Sequence, residues 1–228
     1  MKYFVTYCAM DGNTGANLLW HSCILLSKEN PGLNKLQVID TWGFYGVPST
    51  ETSGGWFNTT LRSLKKKVGL DIDLTGNHGL LRHEETRFLD LGHGLHGITF
   101  ELTEDQFNAL EKTCKQMILD QESAIKEFAE LHHLKEKPKN ETRIYPYEHV
   151  SKLIYDTECV VAQQNNRQPR LQAFDMHVWD LTGSHTCKTQ AIALLKTVLT
   201  KEQIAILTEN GQYPTIPRRS GQMEPIFL

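Results

Sequence analysis

No stretch of this 228-residue sequence approaches the ~20 consecutive apolar residues that a membrane-spanning helix needs. The first residues, Met1-Lys-Tyr-Phe-Val-Thr-Tyr-Cys8, turn polar at Asp11-Gly12-Asn13, too early for the apolar region of an export signal. A surplus of either charge is also lacking: 24 basic against 27 acidic residues leave a formal net charge of −3. Nothing in that balance calls for nucleic acid or an anionic membrane as partner. The one dense basic run, Lys65-Lys66-Lys67, reads as a solvated helix face. The five cysteines (Cys8, Cys23, Cys114, Cys159, Cys187) are an odd set without a C-x-x-C pair. They indicate neither a disulfide framework nor a zinc knuckle, and thiols are expected. Internal repeats are lacking too. The expected setting is cytoplasmic, with delivery outside the cell left to a route independent of a signal peptide.

What is present reads as one catalytic domain over residues 1–228, with alternating strand and helix signals. Tyr3 to Ala9 forms a first strand, and Leu18 to Leu26 a strongly apolar second one, closed by Glu29-Asn30-Pro31-Gly32. Leu36 to Trp42 returns as its hairpin partner. The glycines at 43, 46, 54 and 55 make residues 43–60 a loop, interleaved with Phe44, Tyr45, Trp56 and Phe57. A short basic helix is expected at 61–68, and strands at 81–88 and 97–102. Thr103-Glu-Asp-Gln106 is a capping box opening a helix with Phe107, Leu110, Cys114, Met117 and Ile118 at helical spacing, continued from Ser123. Residues 135–170 are polar and mixed and are expected as an insertion over the core. Thr200-Lys-Glu-Gln203 is a second capping box, and the proline-bearing segment 212–228 an extended tail.

The chemistry concentrates in Phe174-Asp-Met-His-Val-Trp-Asp-Leu-Thr-Gly-Ser-His-Thr-Cys187. Alternation over 174–179 predicts a strand, and Thr182-Gly183-Ser184 a turn. Ser184, His185 or Thr186 is the N-cap of a helix whose buried side includes Ala191, Leu194, Leu195 and Val198. Cys187 then sits where unpaired backbone N–H groups and the positive helix end both favour a thiolate. A nucleophile there needs a histidine base from another element. His21 is the best candidate, because a titratable ring at the start of an apolar strand needs a partner. Asp40, near the end of the hairpin partner, is placed to hold the His21 ring and complete a nucleophile–base–orienter set. Cys23 shares the strand face of His21 and reads as packing.

The other histidines do not form a metal pattern. His93 and His96 lie three apart in a glycine-rich loop without a carboxylate, and His132-His133 cannot face one way on a helix. Neither metal nor other cofactor is therefore expected.

This order of parts resembles the circularly permuted NlpC/P60-like cysteine hydrolases of papain fold, most closely their YiiX-like and DUF4105-like branch. The residues carrying the resemblance are the His21 strand, the strand with Asp40, the Phe100-Glu-Leu-Thr-Glu-Asp-Gln-Phe helix start and Thr186-Cys187-Lys188-Thr189-Gln190-Ala191. It covers about residues 3–45, 98–120 and 172–199. Thr186 departs from the asparagine common in that family, and Lys188 from a small residue. The resemblance implies Cys187 as nucleophile, His21 as base and Asp40 as the orienting group.

Together these readings predict an α+β fold of permuted papain-like (NlpC/P60) type: a small antiparallel sheet packed on the Cys187 helix, with a helical insertion. They predict a thiol hydrolase or acyltransferase cleaving an amide, isopeptide or ester bond in a peptide, protein or acyl substrate. Trp20, Phe44, Tyr45 and Trp56 would wall the substrate. Two alternatives stand beside this: a non-catalytic protein-binding module with Cys187 buried, and metal-assisted chemistry around His83, Glu84, Glu85 and His93.

Overall fold

Tyr, Phe, Val and Thr crowd the start of the chain, the residue types that suit a pleated, half-buried surface, and they form strand β1 (Tyr3–Met10). The computed structural model describes residues 1–10, 22–30, 32, 35–47, 77–83, 95–134, 147, 150–174, 185–207 and 224–225. The further strands are β2 (Ser22–Asn30), β3 (Lys35–Gly46), β4 (Asn77–His83), β5 (Leu95–Leu102), β6 (Gln172–Phe174) and β7 (Glu224–Pro225). The helices are α1 (Glu104–Leu131), α2 (Ser151–Gln164), α3 (Cys187–Leu195) and α4 (Lys201–Leu207). The class is α+β, as the sequence predicts. One sheet runs in the order β6-β4-β3-β2-β1-β5-β7. The pairings β1–β2, β1–β5, β2–β3, β4–β6 and β5–β7 are antiparallel.

Local signals set several boundaries. At the start of α1 the Thr103 N–H donates to Gln106 Oε1 at 2.9 Å, and the Gln106 N–H to Thr103 Oγ1 at 3.2 Å. The same reciprocal pair joins Thr200 and Gln203 before α4, at 2.9 and 3.3 Å. The expected break at Ser123 is absent, because α1 runs unbroken for 28 residues. Residues 43–46, expected as loop, instead continue β3. Gly43 pairs with Cys23, and Trp42 and Phe44 are buried at 1% and 2% exposure, so ladder and burial override the loop signal at Gly43. Gly46 is needed where it stands: a Cβ there would come within 2.5 Å of the Phe174 ring. The expected start of β2 at 18–21, the basic helix at 61–68, the end of the expected strand 81–88 and the turn at 182–184 lie outside the described residues.

The chain divides into two compact units. The first comprises Met1–Phe44, Leu81–Gln116 and Cys187–Leu228. Val5, Tyr7, Ile24, Leu26 and Trp42 from its strands, Leu110 and Cys114 from α1, and Ile192 and Leu195 from α3 are among its most buried side chains. The second unit comprises Tyr45–Leu80 and Met117–Thr186. Its core gathers Val47, Leu80, Ala124, Ile125, Phe128, Ile154 and Leu171. Within the segment 135–170, expected as an insertion, residues 151–164 form α2, which supplies Ile154 to this core. α2 also buries Glu158, which accepts bonds from Arg167 Nη1 at 2.6 Å and from the Arg170 backbone N–H at 2.8 Å. Burial alone would raise the Glu158 carboxyl, but its hydrogen bonds from Arg167 and Arg170 outweigh that and hold it down at about 2.

Candidate functional site

The apolar face of α3 fixes the position of Cys187. Ala191, Ile192, Leu194 and Leu195 are buried, Val198 continues the face into the next turn, and the helix packs on β2. All four buried positions expected from the sequence are found, and Ile192 joins them. Gln106, besides capping α1, donates Nε2–H to the Val198 carbonyl at 2.7 Å and anchors the turn that ends α3. Cys187 is the first residue of the helix and Thr186 stands at its N-cap position, each 5% exposed. Cys187 therefore sits in the partial positive charge of a helix start.

Two neighbours that sequence reasoning missed shape this environment. Tyr7 is fully buried, and its hydroxyl and Ser22 Oγ are 3.0 Å apart. Burial pushes the Tyr7 phenol above its ordinary value. The Ser22 hydrogen bond pulls the other way, while charge on Cys187, Cys23 or Cys8 pushes it further up. Tyr7 thus keeps its hydroxyl protonated, in a buried position where it feels charge on Cys187. Lys188, 8% exposed, is the second neighbour. Burial holds its ammonium below the usual lysine value, and the adjacent Cys187 charge opposes that shift. Lys188 carried a signal in the sequence, as the residue out of place in the resemblance. Tyr7 carried none beyond its strand position.

The expected partners of Cys187 are placed as follows. His21, Trp20 and Trp56 lie outside the described residues, but Ser22, the residue after His21, is buried beside Tyr7. Phe44 is buried and Tyr45 half-buried. Asp40 stands opposite Leu26, four residues of strand from Ser22, which is about 13 Å along β2. Its Oδ1 accepts the Thr41 N–H at 2.9 Å and pairs with His83 Nδ1 at 2.7 Å. The carboxylate assigned to His21 by sequence is therefore engaged by His83, whose ring is 43% exposed and 6.1 Å from that of Trp42.

None of the five cysteines is in a disulfide. Cys114 is no rival nucleophile: burial, with Asp40 nearby, pushes its thiol up to about 12. Among the described residues no group of three or more His, Cys, Asp or Glu could hold a metal ion. Glu84, Glu85 and His93 lie outside them. Among the same residues no helix is long and apolar enough to cross a membrane. No family model, curated protein or solved structure matches the chain.

Proposed function

We propose that this protein is a thiol hydrolase or acyltransferase of permuted papain-like arrangement, acting in the cytoplasm on an amide, isopeptide or ester bond of a peptide, protein or acyl substrate. One observation carries the reading: Cys187 opens a helix packed on β2, the strand that starts at Ser22, the residue following His21. In the proposed reaction His21 takes the Cys187 proton and the sulfur attacks the carbonyl carbon. The same imidazole then delivers that proton to the departing amine or alcohol. The thioester left behind passes its acyl group to water or to a second acceptor. Backbone N–H groups at the start of α3 receive the oxyanion. The buried Lys188 ammonium favours the thiolate.

The test is alkylation. Iodoacetamide at neutral pH should label Cys187 faster than Cys8, Cys23, Cys114 or Cys159, and His21→Ala should slow that labelling by at least about tenfold. The alternative is a protein-binding module with an inert Cys187, favoured by the 5% exposure of that residue. Uniformly slow labelling of all five thiols, indifferent to His21→Ala, would decide for the module.

A further inference from the structure

We infer that Cys8 and Cys23 are a redox-modification site, closing into a cross-strand disulfide when the protein meets a hydroperoxide. The antiparallel register sets Cys8 directly opposite Cys23, between the pairs Tyr7–Ile24 and Ala9–Ser22. Directly opposed residues share a sheet face, and their Cα atoms lie about 4.5 or 5.5 Å apart according to the type of pair. Both values fall within the roughly 4.4–6.8 Å that a disulfide spans. The two side chains pack with Leu25 as one buried cluster, at 0%, 4% and 4% exposure. Among the described residues the Cys8 sulfur has a weak partner in the Thr6 carbonyl at 3.7 Å. The remaining cysteines Cys114, Cys159 and Cys187 all sit on helices.

The chemistry balances with a hydroperoxide as the oxidant. One thiolate attacks the peroxide oxygen and becomes a sulfenic acid, as the O–O bond breaks and water or an alcohol departs. The facing thiol then displaces water from that sulfenic acid, and the S–S bond forms. The two sulfurs together lose two electrons and two protons. Opposed Cβ atoms in a sheet stand slightly farther apart than a relaxed disulfide holds them, so the link is strained and easily reduced. A labile bridge of that kind suits a reducing compartment, where disulfides are transient and act as sensors. The site does not depend on Cys187 being a nucleophile.

The experiment treats the full chain with excess hydrogen peroxide, then alkylates the remaining thiols after denaturation and maps the peptides by mass spectrometry. The expected product is a Cys8–Cys23 linked peptide lighter by two hydrogens than its parts. Dithiothreitol should abolish it, Cys8→Ser or Cys23→Ser should prevent it, and Cys187→Ala should leave it unchanged. Circular dichroism of the treated wild-type chain establishes that the link forms in the folded protein. Full alkylation of both residues, sulfinic acid on either without a link, or a link seen only after unfolding would overturn the proposal.

Discussion

Asp40 and His83 form a dyad, Oδ1 to Nδ1 at 2.7 Å, although 43 positions separate them in the chain. The Thr41 N–H fixes the same carboxylate oxygen from within β3. Asp40 is thereby held by two partners, and it lies opposite Leu26, away from the end of β2 that begins at Ser22.

Asp40→Asn is accordingly expected to leave the iodoacetamide labelling rate of Cys187 within about twofold of wild type, while His21→Ala slows it strongly. The two variants should be compared by peptide mapping at neutral pH. A slowing by Asp40→Asn as large as that of His21→Ala would return the carboxylate to the Cys187 site.

Lys188 sets stability against reactivity. Its ammonium is buried at 8% exposure beside Cys187, and burial disfavours the charge. Lys188→Met fills a similar volume without that cost, so the variant should be more stable by about 1 kcal/mol in urea unfolding. It also removes a cation from the thiolate and should slow Cys187 labelling several-fold at neutral pH. Unchanged labelling together with raised stability would mean that the ammonium plays no part in activating the sulfur.

His78 makes stability depend on pH. Its ring is 2% exposed and stacks on Tyr155 at a centroid distance of 6.4 Å. Burial lowers its pKa from 6.5 to about 4, against a hydrogen bond with the Ser151 backbone that works the other way. The unfolded chain therefore binds the proton at a higher pH than the folded one does. Stability from this group is complete above the unfolded value and declines as pH falls from 6.5 toward about 4, by on the order of 3 kcal/mol across the whole window. Denaturant unfolding of wild type and His78→Gln between pH 6.5 and 5, above the range in which Glu158 releases its share, should show a steeper slope for wild type. Equal slopes would refute the assignment.

The sequence was readable where the physics is local. Thr103 with Gln106, and Thr200 with Gln203, are capping boxes within four residues, and both form. The buried face of α3 was legible because Ala191, Leu194, Leu195 and Val198 keep helical spacing. A helical insertion was expected within 135–170, but the bounds of α2 and its buried face were not legible. Its buried positions are Ser151, Ile154, Glu158 and Ala162, so half of the stripe is polar, and Glu158 is tolerable inside only because Arg167 and Arg170 arrive from farther along the chain. Gly43 read as a loop residue, but the pairing of β3 with β2 is a property of two strands and absent from either one. The contact of Asp40 with His83 was not legible for the same reason: what a mid-strand aspartate meets is set by register, and no nearby residue encodes it.

The division of the chain carries a consequence for its birth. Every residue of the second unit precedes Cys187, whereas the first unit draws on both early strands and the segment from Cys187 onward. During synthesis the second unit can therefore complete its core while β1 and β2 still wait for the helix that covers them. The sulfur on which the proposed chemistry depends is synthesised only after the whole second unit, so a nascent chain halted before α3 would carry a finished half and no reactive thiol at a helix start.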